Sequence, residues 1–135
     1  GHKHFSVFRM TDALSRKELL PALEILDQQL QITPREHVRI FSLIIMQFRR
    51  LLTIHSMLDQ FYIESEIIKK ISLPAFLSKQ LLAQSRNFTR VELQNIYYEL
   101  AKLDLRIKFQ GSLAPLILQD LFQRICSGKF RQKTG

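Results

Sequence analysis

The chain has 135 residues, 46% of them hydrophobic, and a formal net charge of +8 from 20 Lys and Arg against 12 Asp and Glu. That length fits one domain burying roughly two-thirds of its extended surface. Four glycines, no tryptophan and a lone cysteine, Cys126, argue against disorder, a turn-rich all-β fold, an intramolecular disulfide and a cysteine zinc site.

Gly1-His2 reads as a tag scar, which removes His2 from functional reasoning and leaves His4 open. Residues 1–15 are expected to combine that scar with a linker, because residues 5–10 look like the end of a preceding unit. Residues 16–127 form the expected helical domain, and 128–135 a basic flexible tail. Thr11 or Ser15 can cap short early turns. Leu19, Leu23, Leu26 and Leu30, with Ala22 and Ile25, then predict a helix ending near Gln31. Pro21 belongs in its first turn, since an interior proline costs roughly 3 kcal/mol.

Thr33-Pro34-Arg35-Glu36 predicts a capped start in which threonine caps, proline takes the first position and glutamate returns a bond to the cap. A long central helix follows, with a broad apolar stripe of Val38, Phe41, Ile44, Ile45, Phe48, Leu51, Leu52, Ile54 and Leu58. Arg39, Gln47, Arg49, Arg50 and His55 interrupt it, so no membrane span is expected. Residues 61–64 connect to a short helix over 65–71. Pro74 suits a first helical position, Asn87 a stop, and Thr89-Arg90-Val91-Glu92 a capping box. Gly111 marks the exit, a last helix covers 114–126, and Gly128 punctuates it. The pattern predicts an all-α, compact bundle of about five main helices plus short helices.

Glycines at 1, 111, 128 and 135 cannot build a phosphate-cradling loop or a dinucleotide fingerprint. His37 and His55 lie about five turns apart on one helix, beyond shared metal reach. Glu64 and Glu66 do not share a helical face, and Cys126 ends the apolar run LILQDLFQRIC, where a packed thiol is the plain reading. No catalytic, cofactor or metal site is expected, and the chain reads as a non-enzyme. A single thiol favours a reducing compartment, read as cytoplasmic.

The positive charge favours an anionic partner, nucleic acid ahead of an acidic membrane, with a merely solvated basic surface still open. Arg49 and Arg50 sit on the long helix; Arg35, Arg39, Lys79, Arg86, Arg90, Arg106 and Lys108 add cations elsewhere. Tyr97 and Tyr98 either display an aromatic to a base or, for at least one of them and ahead of that reading, pack with the hydroxyl at the rim. Phe109, beside Lys108 and before Gln110-Gly111, either stacks on an unpaired base or tucks beneath the bundle. Arg49, Arg50, Lys108 and Phe109 are the candidate DNA contacts.

Pro74, Lys79, Leu81, Leu82, Gln84, Arg86 and Phe88, followed by Leu93, Leu100, Asp104, Leu105, Lys108 and Gly111, give residues 73–111 a pattern that resembles the C-terminal collar domain of the bacterial DNA polymerase III delta subunit. Residues 8–14 resemble that family's lead-in to the collar. Ala22, Leu23, Leu26 and Leu30 resemble its first collar helix, and Gln47, Phe48, Arg49, Leu51 and Leu52 its next. The connection over 60–73 and the basic tail depart from the family pattern. The resemblance implies a clamp-loader collar fold that joins other loader subunits, delta-prime on one side and gamma or tau on the other. It also implies a preceding ATPase-like region that engages the sliding clamp, primed DNA in the assembled complex, and nucleotidyl-transfer chemistry in another chain. The alternative is an independent basic helical nucleic-acid-binding module, motivated by the charge, Arg49-Arg50 and Lys108-Phe109; a small-molecule enzyme is a third, distant reading.

Overall fold

The apolar stripes resolve into seven helices in a computed structural model that describes residues 2–33 and 35–132, with side chains described from residue 7 onward. They are α1 (His2–Ser15), α2 (Leu19–Ile32), α3 (Glu36–Asp59), α4 (Glu64–Ile71), α5 (Ala75–Ser85), α6 (Arg90–Phe109) and α7 (Ala114–Cys126). Single 3-10 turns occupy Gly111–Leu113 and Lys129–Arg131. The described residues contain no strand, and none of their helices is long and apolar enough to cross a membrane.

The expected central helix is central because both its sides are apolar. One side of α3 packs on α6, the other on α5, with α1 and α2 closing over it. Phe41, Ile44, Phe48, Leu51 and Ile54 are buried along it, and Phe48 meets Phe88 edge to face with ring centres 5.7 Å apart. The α3–α6 pair runs antiparallel: His37 lies against Gly111, Arg49 reaches Tyr97, and Asp59 approaches Arg90.

Residues 7–15 differ from the linker expected there. They form the second half of α1, and Val7, Met10, Ala13 and Leu14 are buried in the core against α2, α3, α5 and α7. Thr11 and Ser15 are not caps: their hydroxyls donate back to the carbonyls of Phe8 and Thr11 at 2.9 and 2.8 Å, inside the helix they were expected to begin. The structural placement of Gly1 and the side chains of His2 and His4 lie outside the described residues.

Pro21 occupies the first turn of α2, as expected. Pro34 lies outside the described residues; α3 starts at Glu36, whose amide donates to the Thr33 carbonyl at 3.0 Å and whose carboxylate holds Arg39. Pro74 stands one position before its helix, with ψ 141°, and its carbonyl accepts from the amides of Leu77 and Ser78. The Thr89 capping box forms in full: Thr89 Oγ1 accepts from the Glu92 amide at 3.0 Å, and Glu92 accepts from the Thr89 amide at 3.2 Å.

Gly128 takes φ +79°, a left-handed turn that favours glycine, and ends α7 as expected. The segment after it is not a free tail as far as Gln132. Phe130 is buried, and Asn95 Nδ2 donates to the carbonyls of Phe130 and Gln132 at 2.8 and 3.1 Å. The apolar body of Phe130 outweighs the flanking charges, which lie on the surface.

Candidate interaction interface

Successive residues on a helix are turned by about 100°, so Arg49 and Arg50 meet different neighbours. Arg49 faces α6, where its Nε donates to the Tyr97 hydroxyl at 3.0 Å and its guanidinium lies 5.9 Å from that ring's centre. Arg50 faces the other flank, toward α5, half-buried and with no hydrogen-bond or ion-pair partner among the described residues.

Lys108 and Phe109 lie at the far end of α6. Lys108 Nζ is 2.9 Å from Asp104 Oδ2, and Phe109 is 81% exposed rather than tucked beneath the bundle. Phe109 is twelve residues beyond Tyr97 on the same helix, roughly 18 Å along its axis. The structure therefore does not bring the four candidate DNA contacts together. Several other cations are already engaged: Arg86 with Glu64 at 2.7 Å, Arg90 with Asp59 at 3.4 Å, Arg124 with Glu99 and Asp120, and Arg106 with the Gln110 amide.

The remaining groups singled out from the sequence are a thiol, two carboxylates and an imidazole. Burial pushes the Cys126 thiol up to about 11, against a small opposing effect of Lys17, so the thiolate is scarce at neutral pH. Glu64 is paired with Arg86, and Glu66 caps the Ile63 amide at 3.3 Å. His55 Nδ1 is buried and 3.4 Å from Asp59 Oδ2, within ion-pair reach but not aligned as a hydrogen bond. No group of three or more His, Cys, Asp or Glu among the described residues is placed to hold a metal.

Two apolar features escaped the sequence reading. The outer side of α6 carries Val91, Tyr98, Leu105 and Phe109 exposed, opposite its buried stripe of Leu93, Ile96, Leu100 and Ile107. The seven-residue spacing of Val91, Tyr98 and Leu105 was the available signal. Between α1, α3 and α5 lies a cleft of about 470 Å³ walled by Phe8, Leu43, Met46, Leu73, Leu77 and Leu81. Its floor is a polar chain: Gln47 Nε2 donates to Ser15 Oγ and Gln84 Oε1, each at 2.9 Å, and Gln84 donates to Asp12 at 3.0 Å. This cleft had no sequence signal, because its walls come from three separated segments.

The family model of the DNA polymerase III delta subunit, C-terminal domain, matches residues 4–124. The chain belongs to that family. The delta C-terminal domain also shares its fold with a solved structure, the Bacillus subtilis DNA clamp loader delta protein (YqeN), with a TM-score of 0.76 and 24% sequence identity. The alignment covers 90% of this chain and 36% of that one, so this delta domain spans about a third of the solved protein's length. No curated protein sequence matches the chain. The resemblance carried by the Pro74 and Thr89 helices is thus a membership, and the all-α architecture is that of a clamp-loader delta protein.

Proposed function

We propose that this delta C-terminal domain is a collar module that assembles the clamp loader, joining delta-prime on one side and gamma or tau on the other. In that role it supports loading of the sliding clamp onto primed DNA in the cytoplasm, while the clamp is engaged by a separate ATPase-like region of the delta subunit. Its own work is binding rather than catalysis. The observation that carries the reading is the family match over residues 4–124. The surface supports it: exposed Tyr98, Leu105 and Phe109 and the apolar cleft offer area for burial against other proteins, the main favourable term in association.

Light scattering after mixing with purified delta-prime and gamma or tau tests this reading. Complexes containing this chain are expected, with weak or absent binding to the sliding clamp; tight clamp binding without subunit association would overturn it. A direct contact with DNA is the second reading, favoured by the unpartnered Arg50 and the exposed Phe109. Tight binding of primed or single-stranded DNA, steeply weakened by salt and lost in Arg50→Ala or Phe109→Ala, would establish it.

A further inference from the structure

The cleft beside Arg50 is longer than one cavity. A second hollow of about 250 Å³ adjoins it, and Arg50 and Leu73 line both. On α3 the combined wall runs Leu43, Met46, Gln47, Arg50, Ile54 and Met57. That spacing is a single helical face, and its fourteen-residue reach spans roughly 21 Å, or about four turns. The opposite wall is Leu73, Leu77 and Leu81, from α5 and the turn before it. An elongated apolar trough between two helices is shaped for a third helix, and the thioethers of Met46 and Met57 adapt readily to whatever side chains enter.

The rim decides what kind of helix. Arg50 stands at the junction of the two hollows, half-buried, with no hydrogen-bond or ion-pair partner among the described residues. Arg49 and Lys70 line the second hollow, and among the described residues each meets an aromatic neighbour, Tyr97 or Tyr62, rather than a carboxylate. Against these three cations the cleft lining contributes one acid, Asp12. A carboxylate brought to Arg50 makes a charge-assisted hydrogen bond the isolated chain lacks. A second copy of this chain fits poorly, since each copy carries +8. A nucleic-acid strand fits poorly too, because the walls are aliphatic and a single aromatic, Phe8, lines them.

We propose that this trough docks an amphipathic helix of a partner protein, apolar at i, i+3 or i+4 and i+7, whose acidic edge meets Arg50. The inference rests on the reading of the domain as an assembly module and names the face that assembles. Two exposed, unlike apolar features, the trough and the α6 ridge, suit a subunit with a different neighbour on each side.

The test uses the whole chain and labelled helical peptides of about 16 residues, enough to fill the trough. One peptide carries leucines at the stated spacing with a glutamate edge, one the same leucines with a lysine edge, and one serines in place of the leucines. Anisotropy and amide chemical shifts are read together. The glutamate peptide is expected to bind about tenfold or more tighter than either of the others and to shift amides of residues 43–57 and 73–81. Arg50→Glu removes no hydrogen bond or ion pair among the described residues, and an unchanged thermal midpoint checks that the fold is kept; it should weaken the glutamate peptide and strengthen the lysine peptide, each by about tenfold. Met46→Gln should weaken both. Equal binding of the peptides, shifts confined to other faces, self-association through these residues, or a single-stranded oligonucleotide shifting these amides when the glutamate peptide does not would each overturn the proposal. If delta-prime and gamma or tau bind Arg50→Glu and Met46→Gln as well as the parent chain, the trough is refuted and the assembly reading stands. If the peptide binds but no loader subunit does, the assembly reading falls instead.

Discussion

The Lys17 ammonium lies 2.8 Å from the Glu92 carboxylate and ties the turn after α1 to the first turn of α6. Glu92 is fully buried, and its other oxygen accepts the Thr89 amide in the capping box. Lys17 also sits 4.7 Å from the centre of the Phe88 ring, with its own backbone in the left-handed region at φ +59°. One cation thus completes a helix cap, covers a core aromatic and neutralises a buried charge.

Lys17→Met strands that charge, because Arg131 Nε, at 3.6 Å and largely exposed, is a weak substitute. The expected cost is about 3 kcal/mol in denaturant unfolding. Glu92→Gln should cost less, since the amide oxygen still accepts from Thr89 and the Lys17 ammonium left unmatched keeps some solvent access and the face of the Phe88 ring. The double variant should be less destabilised than the sum of the two. A Lys17→Met cost below about 0.5 kcal/mol would show that the pair is not a structural tie.

Gln47 joins three helices by donating to Ser15 on α1 and Gln84 on α5 from the middle of α3. Gln47→Leu keeps the approximate volume and removes both donations. About 2 kcal/mol of destabilisation is expected from the buried acceptor left unmatched. Thermal unfolding measures it, and an unchanged midpoint would mean that the network contributes nothing net.

Phe61 takes φ +66° in the turn after α3 with its ring 91% exposed. An exposed ring supplies little packing to offset the left-handed backbone, which asparagine tolerates better. Phe61→Asn should therefore stabilise the chain by about 0.5 to 1 kcal/mol. A loss of stability would reveal a contribution from the ring that outweighs its backbone strain.

Cys126 gives the pH prediction. Its folded value of about 11 exceeds the ordinary 9.0, so the folded state holds the thiol proton where the unfolded state has released it. That contribution to stability is complete below pH 9 and is lost as pH rises toward 11. The parent chain should lose stability over this range relative to Cys126→Ala. Maleimide labelling of the folded chain at pH 8 should be slow and become fast in denaturant; fast native labelling would contradict the raised value of this partly buried thiol.

Helices could be located from the residues because their signals are local. The Thr89 box needs a threonine and a glutamate three positions apart, and the stripe of α3 recurs within one continuous segment. Two ends were harder. Thr11 and Ser15 have the composition of caps, but their hydroxyls bond within a turn whose direction depends on burial of Val7, Met10 and Leu14. Phe130, set among Lys129 and Arg131, reads as tail until Asn95 and the core give it somewhere to go.

The order of periodic stripes, caps and glycine stops in this chain determines an all-α bundle and carries its likeness to the delta family, because each signal acts over a few residues. Tertiary structure alone decided which charges are spent and which remain. Lys17 finds Glu92 across 75 positions, while Arg49 and Arg50, adjacent in sequence and both lining the second hollow, differ in partner: Arg49 bonds Tyr97, Arg50 has no ion pair among the described residues, and Phe109 stays far from both. The trough belongs to the same class: its walls are leucines and methionines that look like core until three distant segments leave a gap between them.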